Sequence, residues 1–259
     1  MADPLRETFD AVAASYESAR PAYPAALYDD LVELAELEPG ARLLEVGCGP
    51  GIATRPLLER GYRISCVELG ERLAAEARRN LAGLPVEIHV GAFETWPGEP
   101  GGFDLVYAAT AWHWIDPDSR YRLAHAQLRS GGHVAFWSAR HAFPVDVDPL
   151  FRELQPVYEE LGEARVESWP LPEDVPDEAA DIEASALFED VRIRRYVWER
   201  RYTADEYLAL LDTFSGHIAM GEAKRARLYG EIRRRLAERP DGTLRRHWLA
   251  ILHVARRRD

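Results

Sequence analysis

Between residues 42 and 137, short apolar runs and helix-patterned segments take turns, and no other feature constrains the fold of this chain as strongly. Apolar runs at 42–46, 62–69, 86–90, 103–108 and 132–137 are interleaved with helical periodicity at 52–60, 72–81 and 120–128. A strand that rejoins its own sheet through a helix lies parallel to its predecessor, and the crossover is right-handed because twisted strand and helix pack back only that way. The pattern predicts an α/β architecture, a parallel sheet with helices on both faces and ligands at the carboxyl ends of its strands. Two helices are expected ahead of it, at 9–16 and 25–37, joined through the rigid Arg20-Pro21-Ala22-Tyr23-Pro24.

After residue 137 the alternation stops. Residues 141–185 are rich in Pro, aromatics and acids, with an amphipathic run near 149–161. A strand-like run at 191–199, helices at 204–213 and 219–238, and a last strand at 245–255 follow. The expected organisation is a core with N-terminal cap helices over 1–140, a lid insertion over 141–190, and sheet-completing strands with inserted helices over 191–259.

Charge narrows the partners. The formal net charge of −12 opposes binding to a polyanion such as nucleic acid. From 224 to 259 the chain carries 12 Lys and Arg against 4 Asp and Glu, and this stretch reads as a solvated helix face and a charged tail. The two cysteines, Cys48 and Cys66, lack metal-ligand spacing, so no metal is expected. No apolar run nears the roughly 20 residues of a membrane span, and MADPLRETFD lacks the layout of a signal peptide. The expectation is a cytoplasmic protein with a small-molecule partner, no membrane contact and an open oligomeric state.

The stretch LLEVGCGPGIAT, residues 43–54, discriminates between ligands. Gly47, Gly49 and Gly51 alternate, whereas the dinucleotide fingerprint needs Gly-x-Gly-x-x-Gly and a phosphate loop needs Gly-Lys-Ser/Thr; neither is present. Glu45 would repel a pyrophosphate and suits a cationic, amino-acid-bearing ligand. Glu68 ends the second strand, where a carboxylate accepts both hydroxyls of an unphosphorylated ribose.

This arrangement resembles the class I S-adenosylmethionine-dependent methyltransferases over residues 9–140. Cys66-Val67-Glu68-Leu69 is similar to the second motif of that family, Gly91-Ala92-Phe93-Glu94 to its adenine-contact turn, and Leu128 to Phe136 to its entry into strand five. Tyr16, Arg20 and Tyr23 in Y-x-x-x-R-P-x-Y-P and the loop Ala111-Trp112-His113-Trp114-Ile115-Asp116 place it nearest the type 11, trans-aconitate methyltransferase-like small-molecule group. It departs at Ala92, where the family often has Asp. The resemblance implies a Rossmann-like sheet of about seven strands with the last antiparallel and helical lid insertions.

It also implies roles. Tyr16, Arg20, Glu45, Gly47, Cys48, Gly49, Gly51, Glu68, Leu69, Ala92, Phe93, Ala109 and Thr110 would line the S-adenosylmethionine site. Tyr23, Trp112, Trp114 and His141 would shape the acceptor pocket, and His113 would orient the acceptor or take its proton. The reaction would be O-, N- or C-methylation by in-line displacement, which asks the protein mainly to align the reactants in a dry site. Two other readings stay open: a non-catalytic binding or regulatory protein on the same fold, and an RNA methyltransferase supported only by the basic C-terminus. The glycine spacing disfavours a dehydrogenase.

Overall fold

The computed structural model describes residues 20–163 and 169–259; the helix expected at 9–16, and Tyr16 with it, lies outside the described residues. The first five strands are β1 (Arg42–Val46), β2 (Arg63–Glu68), β3 (Val86–Val90), β4 (Phe103–Ala109) and β5 (Leu128–Trp137), with helices α1 (Ala25–Leu34), α2 (Thr54–Glu59), α3 (Glu71–Asn80) and α4 (Arg120–Gln127). Helix α1 stops three residues short of the expected end because Glu36 turns to φ 50. Strand β5 starts four residues early, with a register shift between Phe103 and Leu105 absorbing its glycine turn.

The later elements are β6 (Ala139–Ala142), α5 (Leu150–Glu153), α6 (Gln155–Glu160), α7 (Ala179–Ala184), β7 (Phe188–Thr203), α8 (Ala204–Leu211), α9 (Ser215–Ala219), α10 (Glu222–Ala237) and β8 (Thr243–Arg257). The single amphipathic run expected at 149–161 is two helices, since Pro156 has no amide to donate and sits at the start of the second. Thr203 and Glu206 form a reciprocal capping box that opens α8 at the expected place. Gly221 at φ 83 breaks the expected 219–238 helix, so α10 begins after it. The alternation pattern missed β6 and α7. Each is too short to show a period and exists through its tertiary partners.

The strand order is β3-β2-β1-β4-β5-β8, with β6 and β7 also paired to β8. Strands β1 to β5 run parallel, and β8 runs antiparallel to β5, β6 and β7. Residues 247–250 of β8 pair with both β6 and β7, and 253–256 largely with both β5 and β7, so β5 and β6 share one edge of β8 and β7 takes the other. Strand order reverses between β1 and β4, which opens a crevice at their carboxyl ends.

Alternation along β1 sends Leu43 to the core face covered by α1, α2 and α3, and Leu44 to the face covered by α4 and α7. A third core joins α5, α6, α8 and α10 to Leu244 and Trp248 of β8. The twelve basic residues after 223 do not form a free positive surface. Arg233, Arg234, Arg235, Arg239, Arg245 and Arg256 each pair with Asp or Glu.

Candidate active site

A cavity of about 510 Å³ lies at the carboxyl edge of the sheet, over the crevice between β1 and β4. Its floor follows from strand periodicity. Glu45 points to the Leu43 side of β1, and the sheet register sets Cys66 of β2 and Tyr107 of β4 beside it. The Thr54 hydroxyl (2.6 Å), the Tyr107 hydroxyl (2.7 Å) and the Cys66 thiol (3.9 Å) all donate to Glu45 Oε2. Its Oε1 has no partner among the described residues, although the residue is fully buried and forms part of the cavity wall. Burial pushes the Glu45 carboxyl up to about 7; the Thr54 and Tyr107 hydroxyls pull against that rise, and the charge of Glu68 adds to it.

The glycine loop and Glu68 hold one another. The Gly49 amide and the Gly70 amide donate to the two Glu68 carboxylate oxygens, each at 2.8 Å. Gly47, at φ 73, lets the β1 loop approach the β4 loop: a Cβ there would lie 2.5 Å from the Ala111 Cβ. Cys48 lines the cavity, but the adjacent Cys66 thiol and burial push its own thiol well up, so it is no nucleophile at neutral pH.

The opposite rim is assembled from distant segments. Thr110 sits at φ 58, a costly conformation for a β-branched residue, and three contacts hold it there. Its amide donates to Trp137 O (2.7 Å), its Oγ1 accepts from the Ala139 amide (3.2 Å), and the same oxygen meets the Tyr23 hydroxyl (2.7 Å). Arg20 donates to Thr213 Oγ1 (3.0 Å) and Thr213 O (2.9 Å) and lies 4.4 Å from the centre of the Phe214 ring. His113 is exposed on the wall; partial desolvation, with the charges of Arg140 and Arg120, holds its imidazole below the usual 6.5.

A family profile described as a methyltransferase domain matches residues 43–132, the span holding the glycine loop, Glu68 and the β4 loop. An uncharacterized methyltransferase of Mycobacterium tuberculosis is 32% identical over 135 residues, covering 51% of this chain and 53% of that protein. The chain thus spans about half the length of the curated relatives it matches in this way. A candidate type II methyltransferase of Anaeromyxobacter dehalogenans superposes over 92% of this chain and 97% of its own at 26% identity, with a TM-score of 0.66. Residues 43–132 thus carry a methyltransferase domain, set in the fold of the class I S-adenosylmethionine-dependent methyltransferases. A Haemonchus contortus phosphoethanolamine N-methyltransferase solved with S-adenosylhomocysteine shares the fold at 16% identity and a TM-score of 0.57 over 96% of this chain and 58% of its own.

Within this methyltransferase fold, the cavity wall includes Arg20, Tyr23, Glu45, Gly47, Cys48, Gly49, Glu68, Leu69, Phe93, Ala109, Thr110, His113 and Trp114. Four expected residues are not in it. Gly51 serves packing instead, since a Cβ there would come within 2.9 Å of Leu81. Ala92 caps the turn after β3, its carbonyl accepting from the Thr95 and Trp96 amides. The tight turn at Trp112–Trp114 sends Trp112 inward, where it stacks on Phe136 at 4.9 Å, and leaves Trp114 in the wall. His141 pairs with Trp248 across β6 and β8, which carries it into the late core between Phe143 and Phe151; burial there holds its imidazole well below 6.5.

Sequence reasoning did not find Ser138, Arg140, Ile115 or Phe214 in the wall. Ser138 and Arg140 follow the carboxyl end of β5, which the rule for open parallel sheets marks in advance. Phe214 carries no such signal, because only the packing of α8 against the sheet brings it there.

The wall suits S-adenosylmethionine on its own chemistry. A fully buried carboxylate oxygen without a partner among the described residues, and a second, preoriented carboxylate, favour a cation and a ribose diol and disfavour a pyrophosphate.

Proposed function

We propose that this protein transfers a methyl group from S-adenosylmethionine to a small anionic molecule. The observation that carries this reading is that one cavity wall holds both charges: Glu45 and Glu68 beside the glycine loop, and Arg20 and Arg140, the latter 3.4 Å from Glu178, on the segments before α1 and after β5. Arg246 adds to the positive end, buried and packed on the same Phe214 ring at 5.3 Å.

Bound S-adenosylmethionine would supply an electrophilic methyl group on a sulfonium. The chain's residues bind and align. Glu68, fixed by the amides of Gly49 and Gly70, accepts the ribose hydroxyls, and Glu45 offers its free oxygen to the positively charged methionine portion. Leu69 and Phe93 flank the adenine, and Gly47, Cys48, Gly49, Ala109 and Thr110 supply close-fitting backbone. Arg20 and Arg140 hold the anionic group of the acceptor, while Tyr23 and Trp114 exclude water. His113, held mostly neutral at pH 7, takes the acceptor proton at a ring nitrogen where the nucleophile arrives protonated. The helices between β6 and β8 act as the lid that selects the acceptor, Phe214 being their contribution to the wall.

Calorimetric titration with S-adenosylmethionine, S-adenosylhomocysteine and NAD in parallel tests the reading. Micromolar binding of both sulfur nucleosides and none of NAD is expected; failure of both sulfur nucleosides to bind would remove it. An acceptor screen by product mass, weighted to carboxylates and phosphates, then tests the anionic preference against uncharged analogues.

A further inference from the structure

Glu45 is a buried acid with one oxygen in use and one to spare. Oε2 receives the Thr54 and Tyr107 hydroxyls and the Cys66 thiol, while Oε1, in a residue of the cavity wall, stands without a partner among the described residues. The titratable or polar groups acting on it come from every neighbouring element: Thr54 of α2, Tyr107 of β4, Cys66 and Glu68 of β2, Cys48 of the glycine loop and Tyr28 of α1. None of these is a cation, and Glu68 adds a like charge. A carboxyl group so enclosed keeps its proton until a positive charge takes its place.

We propose that Glu45 is protonated in the ligand-free protein and loses that proton when S-adenosylmethionine enters, so that each cofactor taken up releases one proton. The inference rests on the methyltransferase reading of the cavity. The O–H bond of the carboxyl breaks heterolytically, the proton leaves to the buffer, and the electron pair remains as the carboxylate charge that balances the positive ligand. The hydroxyls of Thr54 and Tyr107 already donate to Oε2, so the new charge is received by a prepared pair of donors. With the carboxyl titrating at about 7, roughly nine-tenths of ligand-free molecules carry the proton at pH 6.

The test is titration calorimetry with S-adenosylmethionine at pH 6 in buffers of different ionisation enthalpy. At that pH the ligand's own amino group is fully charged, so any proton released comes from the protein. About nine-tenths of a proton per ligand is expected, with Kd tightening about tenfold between pH 5 and 6 and levelling above pH 7. Adenosine, which brings no positive charge, and the variant Glu45→Gln with S-adenosylmethionine are expected to release none. Difference infrared spectroscopy of the unmodified protein supplies a readout that does not depend on the variant folding: the protonated-carboxyl band disappears on ligand addition. Binding of S-adenosylmethionine with no proton released overturns this inference and leaves the cofactor assignment standing. Absence of binding overturns both.

Discussion

The acidic end of the cavity is assembled from segments closer together in the chain than those of the basic end. Glu68 is held by amides two and 19 residues away, and Glu45 by groups nine, 21 and 62 residues away, whereas Arg20 is held by Thr213 across 193 positions. Tyr23 and Thr110 join across 87. The acidic end thus forms once β1, β2 and β4 have paired and their turns have closed. The basic end requires the late helices to be packed on the sheet. Changes in the C-terminal half should therefore disturb acceptor binding while leaving cofactor binding intact, and the converse should hold for changes around the glycine loop.

The largest test of that division is His113→Gln. It is expected to lower turnover by about 100-fold or more, with the S-adenosylmethionine Kd unchanged, if the acceptor arrives protonated. Because burial and the charges of Arg140 and Arg120 hold the imidazole below its usual 6.5, turnover should rise with pH through a midpoint on the acid side of that value, and this dependence should vanish in the variant. Equal turnover in both proteins would reduce His113 to a spectator.

Glu45→Gln is next, and it separates stability from binding. In the folded protein the Glu45 carboxyl is raised to about 7 from 4.5, so folding favours the proton-bound form. That preference costs nothing below pH 4.5; stability is lost as pH rises from there to 7 and stays lost above. The variant should therefore gain up to about 3 kcal/mol over the parent at pH 8 and little at pH 4, read from denaturant midpoints of the ligand-free proteins. A gain that does not grow with pH would contradict the buried, protonated state.

Glu68→Ala should weaken S-adenosylmethionine by about 1.5 to 3 kcal/mol without altering acceptor selectivity, as calorimetry would record. An unchanged Kd in a folded variant takes Glu68 out of the site. Thr213→Val is expected to cost about 1 kcal/mol in acceptor affinity, by loosening Arg20, and nothing in cofactor affinity. A shifted cofactor Kd would show that the two ends are not independent. The smallest effect belongs to His141→Phe. The imidazole Nε2 is buried among aromatic rings without a partner among the described residues, so stability should move by less than about 1 kcal/mol and cofactor binding not at all.

Much of this was legible in the residues alone. The alternation from 42 to 137 set five strands and their helices because each has a period long enough to read, and the glycine spacing with Glu45 and Glu68 marked the cavity's acidic end. Those features depend on local periodicity and on turns a few residues long. What only the tertiary structure decided depends on register and on contacts between remote segments. The pairing of β6 with β8 took His141 out of the cavity, the tight turn at Trp112–Trp114 chose Trp114 over Trp112 for its wall, and the docking of the late helices brought in Phe214. The physical reason is that a side chain's direction in a short strand or turn is settled by its partner, which no window of sequence contains.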